Sequence, residues 1–388
     1  VDSYSPAIAG VPGADAASFP RPHIVTDAAA RDDAKHSLDT LLHALIGNKG
    51  SDLHLTVGSA PAIRIHGDLT PIPGYDPLSP EDTRMLARVV ANDEQWATFE
   101  RELEYDLAYD IPGLSRFRVN LFQQRNAYGA VFRAIPHEIR PLHDLGVPPQ
   151  IERFANLARG LVLVTGPTGS GKTTTLASLL DLANRTRRDH IVTIEDPIEF
   201  LHEHKKCVVN QREVGVDTHG FAKALKHVLR QDPDIILVGE LRDLETVSTA
   251  LTAAETGHLV LATLHTQSAA QTIDRIIDIF PSHQQQEIRA QLSTALQGVV
   301  TQALARRADG SGRTIVCEIM FATPAIRNLI REGKNHQIPS FMQSSGGDGM
   351  LTFDQHLAQR VQEQAITYEK ALELCHAVEE FKRLAGRM

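Results

Sequence analysis

The sequence has only three cysteines, Cys207, Cys317 and Cys375, and no two of them stand in a C-x-x-C pair. A zinc ribbon or a disulfide framework is therefore not expected; small buried thiols in a reducing compartment are. No run approaches the roughly 18 apolar residues needed to cross a bilayer. The amino terminus lacks the basic start and compact apolar stretch of a signal peptide. The expectation is a cytosolic chain that meets a membrane through a partner or a surface patch. Positive charge is also short: 39 Lys and Arg against 48 Asp and Glu give a net charge of -9. Proteins that wrap nucleic acid need a basic surface, so the balance argues against that class. A local basic patch is still compatible with a negative sum.

What is present suits a globular chain: 42% apolar and 22% charged residues over 388 positions, enough for two domains. Residues 1–33, rich in Ala, Pro, Asp and Gly without an apolar period, read as a flexible tail. Residues 36–135 predict a small α+β domain. Leu38, Leu41, Leu42 and Leu45 mark an amphipathic helix. Residues 52–57 and 62–66 alternate as half-buried strands do. Ser79, Pro80 and Asp82 open a helix expected to reach about Phe99. Strand candidates follow at 104–109, 115–122 and 128–134. Residues 136–149 hold Pro136, Pro141, Pro148 and Pro149 and read as a linker.

Residues 150–335 predict an α/β domain. The runs 161–165, 191–194, 235–238 and 259–263 are continuously apolar, as strands covered on both faces are. Helical patterns at 172–184, 221–230 and 244–255 lie between them, which implies a mostly parallel sheet. Ile288, Leu292, Leu296, Val299, Ala303 and Leu304 fall on one helical face and predict a long helix. Residues 315–320 read as a further strand and 325–332 as a helix opened by Pro324. Residues 336–388 are expected to hold a loop and one last helix, from about Thr352 toward Leu384.

Between the first of these apolar strands and its helix lie Gly166, Pro167, Thr168, Gly169, Ser170, Gly171, Lys172 and Thr173. They match the phosphate-loop pattern G-x-x-x-x-G-K-[ST] in full. The glycines allow a tight turn whose N–H groups converge on a phosphate, and the helix start adds a favourable dipole. Lys172 is placed to reach the β- and γ-phosphates, and the Thr173 hydroxyl to hold Mg²⁺. Thr174, next in the same turn, completes the expected nucleotide-binding set. The ligand this predicts is ATP.

Other residues surround that prediction. Glu240 follows the strand 235–238, where an acid can orient Mg²⁺ or its water. Glu195, Asp196 and Glu199 follow the strand 191–194, at the strand end that borders the ligand crevice of an α/β sheet. One of them can position or deprotonate an attacking water; a solvated acidic loop is the plainer reading. His258 and His265 flank the strand 259–263. Seven residues apart, they point to opposite faces and do not suit one metal. His265 stands where a γ-phosphate sensor or a structural histidine would. Arg116 and Arg118 share a strand face, and Arg133 ends the next strand; the set reads either as an exposed polar face or as an arginine finger.

These residues resemble the type IV pilus retraction ATPase family, a branch of the secretion ATPases, over roughly 36–335. The motifs are GLVLVTGPTGSGKTTTLA, TIEDPIEF, DPDIILVGELRDLET and TAAETGHLVLATLHT, with AIRNLIRE near the end and DLHLTVG and SRFRVNLF near the start. The resemblance implies a PAS-like domain before a RecA-like core that hydrolyses ATP with Mg²⁺. It makes Glu195 and Glu199 Asp-box residues, with Glu199 the water-activating acid. It makes Glu240 the Walker B acid, places His258 and His265 near the nucleotide, and places Arg116, Arg118 and Arg133 among arginines that reach one. It further implies a homohexameric ring at the cytoplasmic face of the inner membrane, docked on a platform protein and powering pilus retraction. Pilus assembly or type II secretion is the alternative, and nucleic-acid translocation a weaker one. The extension branch usually carries a tetracysteine metal site, which this sequence lacks.

Overall fold

The computed structural model describes residues 28–65, 67–135 and 139–386. Its contacts divide the chain between Ile135 and Pro136.

The first unit runs α1 (Ala28–Gly47), β1 (Asp52–Leu55), β2 (Ala62–Ile65), β3 (Asp68–Pro71), α2 (Pro80–Val90), α3 (Asp93–Glu102), β4 (Glu104–Ile111), β5 (Ser115–Gln124) and β6 (Ala127–Ile135). The strands form one sheet in the order β3-β2-β1-β6-β5-β4. Each neighbouring pair is antiparallel. Phe117, Val119 and Leu121 alternate along β5 and are fully buried against Leu38, Leu42, Leu86 and Phe99 of the helices.

Two sequence expectations fail here for local reasons. The helix expected to run from Ser79 to Phe99 is two helices. Ser79 caps the first as anticipated, but Asn92 caps a second, with Gln95 completing its capping box. Residues 28–33, read as tail, are the start of α1. The rest of that expected tail, and with it His66 and Pro136, lies outside the described residues.

The second unit contains β7 (Gly160–Thr165), α4 (Lys172–Thr186), β8 (His190–Glu195), β9 (Val208–Glu213), α5 (Phe221–Val228), β10 (Ile235–Val238), α6 (Leu244–Glu255), β11 (Leu259–Leu264), α7 (Ala269–Asp278), α8 (Gln285–Ala295), β12 (Leu296–Arg306), β13 (Arg313–Phe321), α9 (Pro324–Arg331) and α10 (Ile338–Ser344). It closes with α11 (Phe353–Gln362), α12 (Tyr368–Leu374) and α13 (Val378–Leu384). Its sheet has the order β13-β12-β7-β11-β10-β8-β9. Every pairing is parallel except β12 with β13. The fold class is thus α/β, as expected, with helices on both faces covering strands that are buried throughout. Each buried Val, Leu or Ile in those runs contributes roughly 1.5–3 kcal/mol by leaving water.

The long helix expected across 288–304 is wrong beyond Ala295. From Leu296 the chain becomes β12, which pairs on one side with β7 and on the other with β13. The apolar spacing fits a helix, but Val299, Val300 and Thr301 are β-branched and favour a strand buried on both faces. Gly298 lets the strand pack closely: a Cβ there would lie 2.4 Å from the Phe154 ring and 2.7 Å from the Met320 carbonyl oxygen. The last helix is also broken, because Gln364 turns left-handed (φ 58°) and Thr367 caps a new start. Within the expected linker, Leu142 and Val147 are buried in the second unit's core.

One buried acid joins distant elements. Glu318 on β13 accepts the Ala269 amide of α7 at 2.6 Å and a backbone hydrogen bond from Phe353 of α11. Burial pushes its pKa up to about 7.

The Gly298 contact gives a direct test. Gly298→Ala should destabilise the protein by about 1–3 kcal/mol, the usual range for overpacking a core. Denaturant unfolding measures this, and an unchanged midpoint would contradict the packing described.

Candidate nucleotide-binding site

β7 is buried along its whole length and brings the chain to the carboxyl edge of the sheet at Gly166. There the backbone turns through Gly166 (φ 139°), Gly169 (77°) and Gly171 (87°), values that favour glycine. Space is also short at Gly166, where a Cβ would lie 2.1 Å from the Gln302 carbonyl oxygen. Helix α4 then starts at Lys172, capped only by Gly171, with no side chain among the described residues capping its first amides. Helices α2, α3, α6, α7, α9 and α11 begin under a side-chain hydrogen bond, while α5, α8, α10 and α13, like α4, do not; what sets α4 apart is the glycine loop before it. The first N–H groups of α4, including those near Thr173 and Thr174, are left for an anion at the positive end of the helix dipole.

Lys172 folds back over the loop. Its Nζ donates to the carbonyls of Gly166 at 2.8 Å and Pro167 at 3.1 Å. Burial lowers its pKa, while Glu240 and Glu199 act in the opposite sense, so both acids lie within electrostatic reach of the ammonium.

Glu240 stands two residues past β10. One carboxylate oxygen meets Arg242 Nη2 at 2.7 Å, and the other meets His265 Nε2 at 3.1 Å. Burial raises its pKa, but Arg242 and His265 outweigh burial and hold it below the usual carboxylate value. His265 Nδ1 is 3.5 Å from Lys172 Nζ. The parallel register explains the meeting: Leu264 of β11 lies beside Thr165 of β7, so His265 emerges level with Gly166. A continuous line of polar contacts thus runs Arg242–Glu240–His265–Lys172.

Glu195, at the end of β8, has a different environment. It is buried and accepts hydrogen bonds from Thr193 Oγ1 at 2.6 Å and Gln211 Nε2 at 3.1 Å. Burial dominates and pushes its pKa up to about 7. Glu199 is half-buried four residues on, and Asp196 is exposed. Strand β9 holds the loop between them. Gln211 donates to the Phe200 carbonyl at 2.8 Å and accepts from the His202 amide at 2.7 Å; Glu213 accepts from the Ile198 amide at 3.1 Å.

The remaining candidates belong to other elements. His258 stands at the amino end of β11, roughly 20 Å along the strand from His265 at about 3.3 Å per residue. Its Nδ1 is 2.9 Å from the Ala253 carbonyl of α6, so it belongs to a helix end and not to the cluster around Lys172. The three arginines belong to the first unit. Cross-strand register sets Arg118 opposite Arg133, Arg133 opposite Asp52 and Asp52 opposite Arg64. Arg133 Nε binds buried Asp52 at 2.8 Å, and Arg116 Nη1 binds Asp110 at 3.1 Å. Arg118 has no carboxylate partner among the described residues.

Sequence reasoning passed over Arg242, Gln211 and Gln302. Arg242 carried a local signal, a cation two residues after Glu240. The two glutamines carried none, since both act on loops brought to them by strand pairing.

Fold and site together define a P-loop nucleotide-binding protein. Residues 35–373 match the type II/IV secretion system protein family. The type IV pilus retraction ATPase PilT of Pseudomonas aeruginosa is 52% identical over 331 residues, spanning 85% of this chain and 96% of that protein. A twitching motility protein of Neisseria gonorrhoeae is 48% identical over 311 residues, spanning 80% and 83%. A crystal structure of the pilus retraction motor PilT with bound ADP matches with a TM-score of 0.84 at 46% identity, covering 89% of this chain and 98% of that one. The chain belongs to the type II/IV secretion system protein family, and it is an ATPase.

Glu195 provides a pH test. Its folded pKa lies above the unfolded value, so the fold favours the neutral form. That stability is complete below about pH 4.5 and is lost as pH rises through about 7. Glu195→Gln should therefore gain on the parent between pH 5 and pH 8 in melting temperature. Parallel pH profiles would show that Glu195 is not held as described.

Proposed function

We propose that this protein is a ring-forming ATPase motor that powers type IV pilus retraction. The observation that carries the ATPase part of this is the junction of the loop lysine with Glu240 through His265, at the start of a helix whose first amides no side chain among the described residues caps. Its likeness to retraction ATPases along nearly their whole length supports the same reading. In this account the first unit is the PAS-like domain, the second is the RecA-like core, and six copies form the ring.

When ATP binds, its phosphates take the α4 amides and draw Lys172 from the Gly166 and Pro167 carbonyls. Thr173 and Glu240 supply hard oxygen donors that suit Mg²⁺. Among the described residues no cluster of three acids, histidines or cysteines would cage a metal unaided. That fits magnesium, which is held by one or two protein oxygens together with the phosphates. The ion would offset charge on the phosphoryl oxygens. Glu199 orients the attacking water, and buried Glu195 fixes the loop that carries it. His265 links Glu240 to the lysine and so registers the γ-phosphate. Arg118, presented by a neighbouring subunit, stabilises charge in the transition state. No helix among the described residues is long and apolar enough to cross a membrane. We place the motor at the cytoplasmic face of the inner membrane, on a platform protein.

A second reading, as a different pilus ATPase, is favoured by the type IV pilus ATPase PilU of Pseudomonas aeruginosa, 43% identical over 334 residues and spanning 86% of this chain and 87% of that protein. Deletion in the source cell separates the two. Retraction requires surface pili to persist while twitching stops; twitching that continues without this protein would favour the second reading.

In vitro, Lys172→Ala and Glu240→Ala should abolish magnesium-dependent phosphate release while circular dichroism stays unchanged. Normal turnover in either variant would overturn its role. Arg118→Ala should lower kcat by about 10³-fold or more, the range of a proven arginine finger. Arg133→Ala should do much less, and the reverse order would reassign the finger.

A further inference from the structure

Strand β12 touches the phosphate loop at several points through one residue. Gln302 is 1% exposed, and its Nε2 donates to the Ser170 carbonyl at 2.8 Å. Its own carbonyl oxygen lies against Gly166, and its Nε2 would be 3.3 Å from a Cβ placed on Gly171. One residue earlier, Thr301 Oγ1 shares a 2.8 Å hydrogen bond with Thr165 Oγ1, at the point where β7 gives way to the loop.

The Ser170 contact has a directional effect. The carbonyl of Ser170 and the N–H of Gly171 belong to one planar trans peptide, so they point in opposite directions. Fastening the carbonyl to Gln302 therefore aims the Gly171 N–H away from β12, toward the open side of the loop. A loop ordered before its ligand arrives loses less entropy on binding than one ordered by it. Two buried polar atoms beside this contact, Gln302 Oε1 and Ser170 Oγ, have no hydrogen-bond partner among the described residues.

We propose that Gln302 is a positioning residue for the triphosphate: it holds the Ser170–Gly171 peptide in the orientation that presents loop amides to the phosphates. This rests on the nucleotide occupying the loop, and the test separates the two ideas.

The experiment titrates fluorescently labelled ADP, with magnesium, into the full chain. Gln302→Leu removes the donor at similar volume, and Thr301→Val removes the neighbouring hydrogen bond without touching Ser170. Gln302→Leu should weaken binding about tenfold, the equivalent of one hydrogen bond at 1.4 kcal/mol. It should raise KM for ATP in step while changing kcat less, and its melting temperature without nucleotide should fall too, because each variant loses one buried hydrogen bond. Thr301→Val should lower that melting temperature but leave the affinity intact. Unchanged affinity in Gln302→Leu, or equal loss in Thr301→Val, would overturn the proposal. If Gln302→Leu does not fold, Gln302→Met, unbranched and of similar length, carries the same comparison. Failure of the parent protein to bind the probe would instead sink the nucleotide site itself.

Discussion

A helix cannot satisfy its own first N–H groups, and in α4 no side chain among the described residues does it for them. That constraint organises the second unit. The amides must be exposed for an anion to reach them, yet the loop before them must be rigid for them to converge. Glycine supplies the turn and the parallel sheet supplies the rigidity. β7 sits between β11 and β12, so every strand end that contributes to the site emerges on one edge. Lys172, His265, Glu240 and Gln302 come from four segments far apart in sequence, and only this strand order makes them neighbours.

The acids beside the loop divide into two kinds by environment. Glu240 is held ionised by a guanidinium and a histidine, and it faces a lysine whose own charge burial disfavours. Glu195 has hydroxyl and amide partners but no cation, and burial dominates its titration. One carboxylate suits electrostatic work on a charged ligand, while the other suits holding a loop in place. Identical side chains at similar strand ends thus acquire different chemistry from their neighbours.

The phosphate loop, the four buried strands and the acids after them were legible because each is a local pattern. A continuous apolar run, a glycine spacing and an acid just past a strand can be read from one window of sequence. β12 was not legible, because its apolar spacing also satisfies a helix and its strand state depends on β7 and β13. β9 was hidden for a related reason: as an edge strand it buries only part of its length, so it lacks the apolar signature of the central ones. Asn92 and Gln95 formed a readable capping box that the search for one long helix passed over. Arg118, Arg133 and Asp52 show a third limit, since the sequence shows three charged residues but only register shows which charges cancel.

Glu318 ties this edge of the molecule to the carboxyl-terminal helices. The segment carrying His265 runs directly into α7, whose first amide is fastened to that carboxyl, and α11 is fastened to it as well. Either helix, pulling away, would take one of two amide partners from a buried acid. The starts of α7 and α11 therefore share a single rivet, four residues beyond His265 on the α7 side.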